Sequence, residues 1–137
     1  MWISEDWKEF EVLDCTEGKR LERWGEYVLL RPDPQVIWKT RRLHPRWEKP
    51  DAVYHRSSKG GGEWEIFRLP KEWEISYKEL SFRVKPFSFK HTGLFPEQAS
   101  NWDWLFKTIR GRLEKEPEKE LRVLNLFAYT GGATLAA

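Results

Sequence analysis

The residues best suited to chemistry lie at the C-terminal end, where Arg122-Val123-Leu124-Asn125-Leu126-Phe127 leads into Ala128-Tyr129-Thr130-Gly131-Gly132 and then Ala133-Thr134-Leu135-Ala136-Ala137. The first run is almost continuously apolar, the pattern of a strand covered on both faces in the middle of a parallel sheet. The glycine pair reads as a turn and the last five residues as the start of a helix. Strand, glycine turn and helix make the half-unit on which nucleotides settle, beyond the carboxyl end of the strand. Gly131 and Gly132 admit positive φ and leave space for a methionine-like or nucleoside group against the loop amides. The same residues also fit a tight strand-to-helix turn that holds nothing. Spacing excludes the phosphate loops: there is no Gly-x-x-x-x-Gly-Lys-Ser/Thr run, and no Gly-x-Gly precedes the pair.

A second set sits upstream in Lys90-His91-Thr92-Gly93-Leu94-Phe95-Pro96-Glu97-Gln98. The Gln98 amide both donates and accepts, which suits a zwitterionic amino-acid group, and Phe95 offers a flat apolar wall. A loop-capping amide and a core ring are the plainer roles for the same two side chains.

Val123 to Gly132 resembles motif I of the class I S-adenosylmethionine-dependent methyltransferases. Lys90 to Gln98 is similar to the Lys-Thr-Gly-x-Phe-x-Asp-Gln element of bacterial methyltransferases that modify cytosine C5 or guanine N7 of 23S ribosomal RNA, and the hairpin Tyr77 to Val84 is similar to the one preceding that element. The sequence departs from those RNA enzymes at Pro96-Glu97, where Leu/Pro-Asp is usual, and at Ser100-Asn101-Trp102, where Arg-x-Asn-Arg is typical. The resemblance implies S-adenosylmethionine (SAM) as cofactor. It places Phe127, Ala128, Tyr129 and Gly131 along the methionine part, gives Gly132 the close approach of the helix, and has Thr92, Phe95 and Gln98 close the other side. It also implies a ribosomal RNA acceptor and a chain that ends just after motif I. Later strands, an acidic residue for the ribose and the acceptor-side motif are then missing, and the chain alone is expected to be inactive.

The elements that position these residues follow from patterning. Strands are expected at Phe10 to Asp14, Glu26 to Arg31, Gln35 to Thr40 and Ala52 to His55, bounded by turn formers such as Glu17-Gly18-Lys19 and Pro32-Asp33-Pro34. A hairpin with a flexible tip at residues 57–62 leads to a strand over Trp64 to Leu69. Trp73 to Tyr77 and Leu80 to Val84 alternate as a second hairpin, which Pro86 ends. From Ala99 to Glu116, Trp102, Leu105, Phe106, Ile109 and Leu113 recur at helical spacing. The charged run Glu114 to Glu120, with Pro117, reads as a linker. The fold class is therefore α+β: a β-rich domain of antiparallel hairpins over residues 1–98, a connecting helix and linker over 99–120, and the start of a Rossmann-like domain over 121–137.

Composition fits this reading. The chain has 137 residues, 39% hydrophobic and 34% charged, and its nine Trp point to a core held by aromatic burial. A net charge of +2 from 24 basic and 22 acidic side chains attracts polyanions only weakly. Lone Cys15 forms no internal disulfide, and His44, His55 and His91 are too dispersed for a metal cluster. The first residues lack a secretion signal and no apolar run is long enough to span a bilayer, so a reduced, metal-free cytoplasmic protein is expected.

Two further nucleic-acid candidates are weaker: Gly60-Gly61-Gly62 beside Lys59 and Arg56 as a phosphate contact, and Trp38, Trp47 and Trp64 near Arg41, Arg42 and Arg46 as stacking rings. A solvated tip and core tryptophans are the plainer account of these. A non-enzymatic nucleic-acid-binding β module is the competing class. The apolar run Leu121 to Phe127, lacking sheet neighbours, is expected to make homodimers by strand exchange.

Overall fold

A computed structural model describes residues 3–137 of the chain. Strands β1 (Phe10–Thr16), β2 (Lys19–Trp24), β3 (Tyr27–Pro32), β4 (Ala52–Arg56) and β5 (Gly62–Ile66) form one sheet in that order. β6 (Trp73–Tyr77) and β7 (Leu80–Val84) make a separate antiparallel hairpin, followed by α1 (Ala99–Lys115) and the short α2 (Gly132–Ala136).

Alternation in the strands builds two cores, one on each face of the sheet. Trp24, Leu29 and Ala52 point to the side covered by the hairpin and helices, where they join Ile75, Tyr77, Phe82, Val84, Trp102 and Ala136. Leu21, Val28 and Leu30 point the other way, onto Trp47. Trp102 is the hub of the larger cluster, with its ring 5.0 Å from Phe82 and 5.9 Å from Tyr77.

The sheet is mixed, which corrects the expectation of antiparallel hairpins alone. β3 and β4 run parallel, with Leu29 opposite Ala52 and Leu30 opposite Val53. Asp51 fixes this junction. Its backbone N–H donates to Val28 O and its carboxylate accepts from Val28 N, both at 2.7 Å. Arg46 and Arg68 neutralise the buried carboxylate. The crossover between β3 and β4 is held over β1 by Asp14, which accepts from Trp47 Nε1 at 2.7 Å and from Leu43 N at 3.2 Å. The Trp47 bond, with help from the Leu43, Cys15 and His44 amides, holds the Asp14 carboxyl below its ordinary value.

Four other expectations are corrected. Gln35 to Thr40 is irregular, because Val36 O and Trp38 O are taken by the amides of the Gly18 and Glu17 turn, which do not propagate a ladder. Lys19–Trp24 is a full strand where only a turn boundary was expected; its charges hide a buried face on which Glu22, fully buried, pairs with Arg20 and Arg31. β5 ends at Ile66 rather than Leu69, since Phe67 and Arg68 turn their N–H groups onto Asp51 O. Leu121 to Phe127 forms no strand. No other strand lies alongside it among the described residues to receive its backbone groups, and Leu124, Leu126 and Phe127 stand exposed. The apolar stripe on α1 is likewise only partly covered: Trp102 is buried, whereas Phe106 and Leu113 are not.

Candidate functional site

The site begins where β7 ends. Two backbone bonds, Lys85 N to Thr92 O and Phe87 N to His91 O, each 3.2 Å, close the following residues into a loop. Gly93 then turns the chain at φ 91°, a left-handed conformation suited to glycine, and a Cβ there would lie 2.8 Å from the Phe87 ring. This turn sends Leu94 into the core and Phe95 toward the C-terminal segment.

The two segments singled out from the sequence meet here. The Thr130 hydroxyl donates to Gly93 O, and the Phe95 and Tyr129 rings pack at 5.0 Å with 30° between their planes. Phe95, Gln98, Phe127, Ala128, Tyr129 and Gly132 line one cavity of about 350 Å³. Gly132 seats the turn on the core, since a Cβ there would lie 3.2 Å from Trp102. Gly131, at φ 91°, lines an adjoining cavity of about 570 Å³ with Gly93 and Thr130. Thr92 lines neither. It is fully buried, its carbonyl accepts from Lys85 N, and its hydroxyl has no hydrogen-bond partner.

The loop is strained. Phe127 and Tyr129 take φ values of 58° and 52°, a region that costs a non-glycine residue of order 1 kcal/mol or more. One internal bond, Gly131 N to Ala128 O at 2.8 Å, closes it, and Asn125 Nδ2 to Thr134 Oγ1 at 2.8 Å ties the preceding run to α2. Leu94, Glu97, Trp102, Asn125, Thr130 and Ala133 also line the cavity without having been assigned to the cofactor from the sequence. The signal for Asn125 was present: it is the single polar residue within an otherwise apolar run.

The electrostatics are mild. Gln98 accepts from Asn101 through Oε1 at 2.8 Å, which leaves its amide hydrogens free to donate. His91 is held below its ordinary value by burial first, then by Arg31 and Lys90. Aromatic walls, a donating amide and open glycine backbone suit a ligand that joins an apolar portion to an amino-acid group, and SAM has that composition. Among the described residues there is no cluster of His, Cys, Asp or Glu that could hold a metal, and no helix is long and apolar enough to cross a membrane.

The weaker candidates fall elsewhere. Arg56, Lys59 and the glycines at 60–61 form an exposed tip. Trp47 is buried under Arg42, Trp64 packs on Tyr54, and Trp38 is half-exposed with its Nε1 on Cys15 O.

No protein-family model matches the chain, and no curated protein does. Among solved structures, it is similar to a SAM-dependent methyltransferase from Agrobacterium tumefaciens, with a TM-score of 0.81 and 32% sequence identity over 95% of this chain. The chain spans 40% of the length of that methyltransferase.

Proposed function

We propose that the chain is the N-terminal part of a SAM-dependent methyltransferase that acts on an RNA base, ribosomal RNA being the acceptor class, in a reducing cytoplasmic setting. The observation that carries this reading is the convergence of Phe95 and Gln98 with Phe127, Ala128, Tyr129 and Gly132 on one cavity, from segments about 30 residues apart in sequence. The similarity to a SAM-dependent methyltransferase supports it.

When bound, the cofactor supplies an electrophilic methyl group on a sulfonium centre. Of the residues of this chain, Phe95 and Tyr129 would wall the apolar portion and the free amide hydrogens of Gln98 would be available to the amino-acid end. The backbone of Gly131 and Gly132 would leave room for it beside the turn. Nothing in this set removes a proton or activates an acceptor, so these 137 residues alone are proposed to transfer no methyl group.

Labelled-methyl transfer tests the reading. The protein extended by the segment that follows residue 137 in its gene should label RNA and leave protein extracts at background, and the 137-residue chain should label neither. Label in protein but not RNA overturns the acceptor class. Turnover by the 137-residue chain overturns the division of labour.

A further inference from the structure

The loop between β7 and the cavity carries more aromatic surface than its fold requires. From Phe87 the rings follow one another: Phe87 to Phe89 at 6.2 Å and nearly parallel, Phe89 to His91 at 5.9 Å, His91 to Phe95 at 5.2 Å, and Phe95 to Tyr129 at 5.0 Å. The track ends at the candidate cofactor cavity. Phe89 is 48% exposed and Tyr129 54%, so the track presents ring to solvent at its second member and at its cavity end, while Phe87 is partly buried.

The backbone beneath is pinned. Three successive carbonyls are captured: Phe89 O by Trp64 Nε1 at 3.2 Å, Lys90 O by Arg31 Nη1 at 2.9 Å, and His91 O by Phe87 N at 3.2 Å. Arg31 is itself buried and locked to Glu22. A surface loop tied at consecutive residues presents its rings at little further entropic cost on binding.

Charge decides what these rings receive. Lys85 to Phe95 includes Lys85, Lys90 and His91 and no acidic residue. Lys85 Nζ lies 5.4 Å from the Phe87 ring centre, and Lys90 Nζ touches only the Pro32 carbonyl, at 3.3 Å. Glu65, on the neighbouring strand, is occupied by His55 at 2.7 Å, and Glu97, close enough to His91 to act on its charge, lines the cavity where the track ends. An apolar protein partner would strand these ammonium groups, whereas a single-stranded nucleic acid brings phosphates to them and bases to the rings.

Resting on the RNA reading above, we propose that Phe87, Phe89 and His91 form a stacking platform for single-stranded RNA that leads the acceptor strand to the cavity at Phe95 and Tyr129. Bases stack on the parallel Phe87 and Phe89 rings, His91 meets the strand edge-on, and Lys85 and Lys90 meet the phosphates. Stacking reads no sequence, so the platform sets strandedness and direction of approach.

Fluorescence anisotropy of the 137-residue chain with a labelled oligouridine of about ten nucleotides tests this. Phe89→Ala should weaken binding roughly 5- to 150-fold, the range for loss of one stacked base. Phe89→Trp should retain binding, and Phe106→Ala, at an equally exposed ring on α1, should leave it unchanged. Lys85→Gln should reduce the salt slope by about one phosphate. If the wild-type chain binds single strands and Phe89→Ala binds equally well, the platform is refuted while the RNA reading stands. If the wild-type chain binds no RNA, both fall. Duplex bound as tightly as single strand, or self-association abolished by Phe89→Ala without RNA binding, also overturns the platform, the latter assigning the face to a second copy.

Discussion

Gly93→Ala isolates the joint on which the candidate site depends. The backbone there sits at φ 91°, and the new methyl would stand 2.8 Å from Cε2 of Phe87. An L-residue in left-handed backbone costs about 1–2 kcal/mol. Moving the Phe87 ring off the turn loses part of its packing, about 1 kcal/mol, while the stiffer unfolded chain returns about 0.4–1 kcal/mol. The net cost is about 1–2.6 kcal/mol. For a chain of this length, with an unfolding entropy of about 2.1 cal/mol/K per residue, that lowers Tm by roughly 3–9 °C. Because Gly93 O accepts the Thr130 hydroxyl, the shift also loosens the contact between the two segments. Differential scanning calorimetry reads the first effect, and amide exchange at residues 128–132 reads the second. A variant that melts within about 1 °C of wild type, with unchanged exchange at 128–132, refutes the reasoning.

Asp51→Asn removes the buried counter-charge of two solvent-accessible guanidinium groups at the parallel junction of β3 and β4, and should cost about 1–2 kcal/mol, read as a Tm lower by roughly 3–7 °C; a drop below about 1 °C would show that the carboxylate is not the clasp. Tyr77 is buried and donates to Asp103, which raises its phenol from 10.0 to about 12. A raised folded value means that its contribution is complete below pH 10 and is lost as pH climbs through 12, so Tyr77→Phe should be less stable at pH 8 and flatter in Tm between pH 10 and 12; parallel profiles would contradict this. The exposed apolar run Leu121 to Phe127 should drive self-association, and sedimentation of a version ending at Glu118 should show monomer where the 137-residue chain shows dimer. Two equally monomeric proteins would remove the strand-exchange proposal.

What was legible in the sequence followed from local periodicity. β6 and β7 alternate cleanly, and each occupies the residues that alternation marks, because one face is buried and the other wet. α1 begins at Ala99 as its 3.6-residue pattern requires. The failures share a different cause, since they depend on partners distant in sequence. β2 reads as charged until Arg31, on the next strand, is seen to neutralise Glu22. The parallel junction rests on Asp51, whose partners Arg46, Arg68 and Val28 come from three separate places. Leu121 to Phe127 shows the converse: strand propensity alone does not make a strand without a neighbour to pair with.

The candidate site divides in the same way. Gly131 and Gly132 follow from the chemistry of a turn into a helix, whereas Phe95, Phe127 and Tyr129 were assigned only through the resemblance to motif I and to the Lys90–Gln98 element. The left-handed backbone of Phe127 and Tyr129 was not readable, since neither residue type favours it. Thr92 stands behind the wall rather than in it, which the nine-residue run around it gave no means to foresee.

The most direct test of the cavity as a cofactor site is calorimetric titration of SAM into the protein extended by the segment after residue 137, alongside Phe95→Ala and Gly131→Val. Phe95→Ala removes the ring that packs on Tyr129, and Gly131→Val forces a β-branched residue to φ 91°. Each should weaken SAM binding at least tenfold, about 1.4 kcal/mol, while Phe106→Ala leaves it unchanged. Dissociation constants equal to wild type in both site variants would contradict the assignment.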